Sequence, residues 1–180
     1  MIIGINGLAG SGKDEIGRLI VKHAPQFRVK KFAGKLKEIA TVLTGIPTHY
    51  FEHSSVKNSV LSGWNMSIRE LLQRLGTEAI RDSIHPDAWV MALMGDYMRG
   101  DDWVITDMRF QNEYDMICSY GGYTIHVYRA GVKPPNNHSS ESGITSGCFE
   151  YIVDNSGTLE ELEEEVKRII SDILEKEKRK

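Results

Sequence analysis

The chain has 180 residues, 41% of them hydrophobic, and a formal net charge of −3. Length and apolar share suit one globular domain with a full core, and the mild acidity excludes a nucleic-acid clamp, which needs a clustered basic excess. No apolar stretch reaches membrane-spanning length, the N-terminus enters the fold directly with no room for a signal peptide, and Cys118 and Cys148 lack a C-x-x-C partner, which points to reduced thiols in a cytosolic compartment.

The β-branched run Ile2-Ile3-Gly4-Ile5-Asn6 reads as a first strand feeding a glycine-rich turn, and Glu15 to His23 reads as the amphipathic helix after it. Between them stand Gly7, Leu8, Ala9, Gly10, Ser11, Gly12, Lys13 and Asp14, the G-x-x-x-x-G-K phosphate loop in its required strand–loop–helix context. The glycines let successive backbone N–H groups close around an anion, and the helix start adds its positive dipole end. Lys13 supplies a point charge for the β- and γ-phosphates of a nucleotide. Asp14 stands where Ser or Thr normally meets magnesium. It is read either as a metal-directed carboxylate or as a first-turn acid that complements the helix dipole.

Phe27 to Phe32 reads as a second strand. The region from Phe32 to Val90, with Lys35, Lys37, Lys57, Arg69, Arg74 and Arg81 spread through it, is the natural place for an acceptor site. Arg69 and Gln73 share a helix face at i, i+4. His49-Tyr-Phe-Glu-His53 matches the inverted zinc-protease pattern, but Pro47 before it and the lack of a third ligand argue against zinc. Ser67-x-x-Glu70 is a capping box for a helix running to about Ser83, and Pro86 suits the first turn of another with Trp89, Val90, Leu93, Met94 and Tyr97 on its apolar face.

Trp103 to Thr106 reads as a buried strand followed at once by Asp107, with Arg109 two residues on. In a phosphate-loop protein that aspartate holds magnesium or its water shell, and the arginine offers a planar fork to phosphate oxygens. The structural alternative makes Asp107 the N-cap of a helix from about Gln111. Tyr123 to Tyr128 is the clearest later strand, and Arg129 at its end opens a polar loop from Ala130 to Glu150, long enough to be a lid. Arg129 there serves either transferred-phosphoryl charge or a strand-end ion pair. Tyr151 to Val153 is a short strand, and Thr158-x-x-Glu161 caps a last helix striped by Leu159, Leu162, Val166, Ile169, Ile170, Ile173 and Leu174. His23, His85 and His126 carry no partner signal. Strands alternating with helices imply a parallel sheet covered on both faces, with ligands beyond the strands' carboxyl ends.

These motifs together resemble the deoxynucleoside monophosphate kinases of tailed phages, phosphate-loop kinases related to adenylate kinase. The resemblance runs almost end to end, through Gly10-Ser-Gly-Lys-Asp14, Phe32-Ala-Gly-Lys-Leu-Lys37, Arg69-Glu-Leu-Leu-Gln-Arg-Leu-Gly-Thr-Glu78 with Arg81 and Trp89, Thr106-Asp-Met-Arg109, Ile125-His-Val-Tyr-Arg129, His138-x-x-Glu141-x-Gly143 and Asp154-Asn155 to Leu162. It implies a three-layer α/β/α phosphate-loop NTPase fold on a mainly five-stranded parallel sheet, organised as a single kinase domain with an acceptor-binding helical region at about 33–100 and a lid at about 130–150. It further implies phosphorylation of a deoxynucleoside monophosphate with ATP and Mg²⁺, in a cytoplasmic monomer or homodimer (host cytoplasm for a phage-encoded chain), without nucleic-acid or membrane partners. Carried over residue by residue, Gly7 to Asp14 hold the donor phosphates, and Lys13, Asp107, Arg109 and Arg129 are catalytic. Asp14 and Asp107 face the metal, Lys37, Arg69, Gln73 and Glu141 the acceptor, and Asn155 the donor base. Animal-type phosphomevalonate kinase shares the Ser-Gly-Lys-Asp loop and the Asp-x-Arg turn and is the alternative enzyme; a non-catalytic nucleotide-binding module is a third reading. Leu-Gln-x-Leu-Gly-Thr-Glu, together with Tyr50, Phe51 and Trp64 for stacking a base, favours the nucleotide kinase.

Overall fold

A computed structural model describes residues 1–53, 56–133, 144 and 147–179. The chain divides into two compact units, Met1–Lys31 with Tyr97–Lys180, and Phe32–Asp96.

The first unit is built on five strands: β1 (Ile2–Gly7), β2 (Arg28–Lys30), β3 (Trp103–Met108), β4 (Tyr123–Tyr128) and β5 (Tyr151–Asp154). They form one sheet in the order β2-β3-β1-β4-β5, and every neighbouring pair is parallel. The expected second strand shrinks to Arg28–Lys30, because only there does the backbone pair with β3, from the sheet edge. Helices α1 (Lys13–His23) and α6 (Leu159–Lys178) cover one face, burying Ile16, Leu19, Ile20, Leu162, Val166, Ile169, Ile170 and Ile173 against Ile3, Ile5, Val104, Ile125 and Val127. Side chains alternate across a strand, so Gly4 faces the other way, toward Ile117 of α5 (Gln111–Ser119). The result is three layers, α/β/α.

Local chemistry fixes the helix ends. Thr158 and Glu161 form the expected reciprocal cap, with the Glu161 N–H donating to Thr158 Oγ1 at 3.2 Å and the Thr158 N–H to Glu161 Oε2 at 2.8 Å. Leu159 departs from its stripe: it sits in the first turn, 51% exposed, before the helix reaches the sheet. At α5 the cap is not Asp107, which lies inside β3; Glu113 instead reaches back to accept the N–H groups of Arg109 and Phe110 at 2.7 and 3.1 Å. β3 also carries an irregularity. Gly4 pairs with Ile105 and Asn6 with Met108, so Thr106 and Asp107 together stand opposite Ile5.

The second unit is helical, with α2 (Ala33–Thr44), a 3-10 turn (Thr48–Phe51), α3 (Ile68–Gln73), a π-helical continuation (Arg74–Asp82) and α4 (Ala88–Met94). Its core gathers Ala40, Phe51, Leu61, Ile68 and Leu71. Ser67 accepts the Glu70 N–H at 3.2 Å, the N-cap half of the expected box, while the Glu70 carboxylate pairs with Arg74 at 2.7 Å. The helix expected to run from there to Ser83 changes pitch at Arg74, and π segments of this kind are rare. Inside it the Gly76 carbonyl accepts a 2.7 Å hydrogen bond from the buried Trp89 indole. Helix α4 ends at Met94, so Tyr97 lies beyond it and belongs to the first unit, edge-on to Trp103 at 4.9 Å.

Candidate phosphate-binding site

The carboxyl ends of the strands define the site. Asn6 is level with Met108 on one side and His126 on the other, and Tyr128 is level with Asp154. The turn leaving β1 is therefore flanked by Asp107 at the end of β3 and Arg109 just past it, by Arg129 just past β4, and by Asn155 just past β5.

The turn itself is a tight wrap. Gly7 passes so close to β4 that a Cβ there would lie 2.6 Å from the Val127 carbonyl oxygen, which any side chain would forbid. Gly12 caps α1 in a left-handed conformation at φ +100° and supplies no side-chain acceptor, which leaves the first-turn N–H groups without a side-chain cap. Lys13 folds back over the wrap and is 8% exposed; its ammonium donates to the carbonyls of Gly7 and Leu8 at 2.7 Å each. The Asn155 amide braces the loop from behind, donating to the Ser11 carbonyl at 2.8 Å, while its own N–H donates to the Tyr128 carbonyl at 2.8 Å. Among the described residues, Ser11 Oγ is buried with no hydrogen-bond partner. An orphaned hydroxyl, uncapped helix amides and a buried ammonium form a donor-rich cradle, which fits a polyphosphate.

Asp14 heads α1 beside the loop. Its carboxylate accepts from Thr106 Oγ1 at 2.8 Å and pairs with the Lys31 ammonium at 2.9 Å. Partial burial pushes its pKa up, but hydrogen bonds from Lys31 and Thr106 outweigh that and hold it below the ordinary aspartate value. Across the sheet, Asn6 is buried; its amide donates to the Met108 carbonyl at 3.0 Å, and its oxygen lies 2.8 Å from His126 Nδ1. With the Asn6 amide so oriented, the imidazole carries its proton on Nδ1. Burial and the Lys13 charge depress the His126 pKa and keep the ring neutral. Asn6, Lys31, Thr106 and His126 are site neighbours that motif reading passed over. The signal available for three of them was a polar residue at the carboxyl end of an otherwise apolar strand.

The expected acceptor residues fall in the second unit. Lys37 of α2 is buried, 2.5 Å from Glu52 Oε1. Arg69 in α3 donates from Nε to Asn58 Oδ1 at 3.1 Å, and Gln73 closes the same helix one turn on. Glu141 and most of the expected lid lie outside the described residues. Among the described residues no helix is long and apolar enough to cross a membrane.

The chain is similar to known proteins of one family. Residues 44–166, more than half of the chain, match the family model described as deoxynucleotide monophosphate kinase. A deoxynucleotide monophosphate kinase of Enterobacteria phage T4 is 30% identical over 65% of this chain and 50% of its own length; that of Escherichia phage RB69 is 31% identical over 63% and 48%. The chain thus spans about half the length of these two curated relatives. A protein of Acanthamoeba polyphaga mimivirus is 29% identical over 89% of this chain and 91% of its own. Among solved structures, a gluconokinase from Sinorhizobium meliloti superposes with a TM-score of 0.53 at 14% identity, covering 97% of this chain and 93% of that one, a likeness of fold. By the span and description of the family match, this chain belongs to the deoxynucleotide monophosphate kinase family.

Proposed function

We propose that the protein transfers the γ-phosphoryl group of ATP to a deoxynucleoside monophosphate, giving the diphosphate. The observation that carries this reading is the loop from Gly7 to Asp14, wrapped around a buried Lys13, in a chain whose family match bears the name of that reaction. Loop amides and the uncapped first turn of α1 hold the donor phosphates, and Lys13 neutralises charge at the β- and γ-positions. Mg²⁺ supplies Lewis-acid neutralisation of the same oxygens. This ion is commonly held by one or two carboxylates plus phosphates, and Asp14 and Asp107 are the carboxylates at these strand and helix ends. Asp14 keeps its charge, which suits that task, because Thr106 and Lys31 favour the ionised form.

Arg109 and Arg129, just past the ends of the strands that flank β1, spread positive charge around the transferred group. Lys37, Arg69 and Gln73 bind the acceptor. The protein forms no covalent bond to the phosphoryl group; positioning and charge stabilisation account for the rate. The test is consumption of magnesium-ATP in the presence of dTMP, dGMP, dCMP or mevalonate phosphate in turn. Turnover with at least one deoxynucleoside monophosphate is expected. Turnover with mevalonate phosphate alone, or with no acceptor at all, refutes the reading.

A further inference from the structure

Lys37 raises a question of charge. Its side chain is 8% exposed, and a buried ammonium is costly unless an anion accompanies it. The anion here is Glu52, whose Oε1 lies 2.5 Å from the ammonium, and the two partners are unlike in their surroundings. Lys37 is fixed within α2 between Leu36, which is buried, and the core residue Ala40. Glu52 stands at the end of the short 3-10 turn Thr48–Phe51; Phe51 is fully buried and anchors that turn, while the Glu52 side chain is 45% exposed. With nearly half of its side chain in water, Glu52 can turn toward solvent while Phe51 stays in the core, whereas the Lys37 side chain is buried.

We propose that Glu52 is a resident counter-ion of the acceptor site, seated on Lys37 where the phosphate monoester of the incoming acceptor is to bind, and that it swings aside when the acceptor arrives. The proposal rests on the reading of Lys37 as an acceptor ligand. A phosphate monoester carries a charge of roughly −1.5 to −2 at neutral pH against −1 for a carboxylate, with three strong acceptor oxygens, so it displaces Glu52 from a shared cation. The exchange keeps the ammonium compensated at every stage. It also sets acceptor affinity, because a site closed for part of the time binds more weakly in proportion. Glu52 is thereby an affinity-determining residue that never touches the reacting atoms.

The experiment is calorimetric binding of dTMP, dGMP, inorganic phosphate and the phosphate-free nucleosides thymidine and deoxyguanosine to wild type, E52Q, E52A and K37M. Circular dichroism checks the fold of each variant. For the ligands that bind, E52Q and E52A are expected to tighten the monophosphates and inorganic phosphate about fivefold, the upper range for a partly exposed ion pair, and to leave nucleoside binding unchanged. The double variant K37M/E52Q is expected to lose that gain. Unchanged or weaker monophosphate binding in E52Q and E52A, with K37M still weakening it, overturns the counter-ion role and leaves Lys37 an acceptor ligand. Monophosphate binding untouched by K37M overturns both. Equal tightening of nucleosides and monophosphates also overturns the proposal, since a change in shape rather than charge is then responsible.

Discussion

Replacing Gly12 by alanine tests how the phosphate loop is held. Gly12 sits at φ +100°, and a Cβ built there lies 2.1 Å from Nδ2 of Asn155, the atom that donates to the Ser11 carbonyl at 2.8 Å. The substitution carries two costs. Holding alanine in that backbone region costs about 1–3 kcal/mol. Driving off the Asn155 amide removes a buried hydrogen bond and leaves its acceptor unmet, about 1–3 kcal/mol more. G12A should therefore destabilise the protein by roughly 2–6 kcal/mol, a large share of the 5–15 kcal/mol typical of a folded domain. In an N155A background the collision is gone and only the backbone term remains, so the same substitution should cost about 1–3 kcal/mol. Urea unfolding of wild type, G12A, N155A and the double variant gives the coupling, expected at about 1–3 kcal/mol. Any gain from restricting the unfolded chain is common to both backgrounds and cancels. If G12A costs the same in both within about 0.5 kcal/mol, Asn155 does not brace the loop through Gly12.

Three further outcomes are expected. K13A should keep its fold by circular dichroism yet lose at least about a hundredfold in kcat, and turnover within tenfold of wild type would remove Lys13 from the chemistry. Asp14 is held below its ordinary value of 3.8, so its contribution to stability is full above that pH and is lost as pH falls through the lower folded-state value. The difference in urea midpoint between wild type and D14N should accordingly shrink from neutral pH to pH ~3, and a constant difference would contradict the Thr106 and Lys31 bonds. W89F keeps an aromatic ring but removes the pyrrole part of the indole with its 2.7 Å donor to the Gly76 carbonyl, which should cost at least about 1–3 kcal/mol and speed amide exchange through residues 74–82. Unaltered exchange there would detach the indole from the π segment's stability.

Much of the first unit was legible because its signals are local. The run Ile2 to Asn6, the loop to Asp14 and the box Thr158-x-x-Glu161 each carry their cause within a few residues, and all three appear where expected. Helix α2 was passed over for a physical reason. Phe32 offers no side-chain cap, and the apolar residues lie on both sides of the helix, with Leu36 and Ala40 buried and Ile39, Val42 and Leu43 exposed, so no single stripe announces it. The π segment escaped as well, since a 3.6-residue period is assumed once Ser67 and Glu70 have started a helix. At the site, Lys13 and Asp14 could be read from the motif. The bonds that Asp14 makes to Thr106 and Lys31, and that Asn6 makes to His126, join distant stretches of chain and depend on strand order, which spacing alone does not encode.

The paired residues Thr106 and Asp107 opposite Ile5 set Ile105 and Met108, three apart in sequence, on one face of β3. Deleting Thr106 or Asp107 would restore one-to-one matching with β1 and leave Met108 opposite Asn6 on its present face, because Ile105 and Met108 would then stand two apart. The loss would fall on the site instead, which would forfeit either the Thr106 hydroxyl that donates to Asp14 or the Asp107 carboxylate. A one-residue deletion at this step would therefore spare the sheet and cost the phosphate-binding end of β3 a side chain.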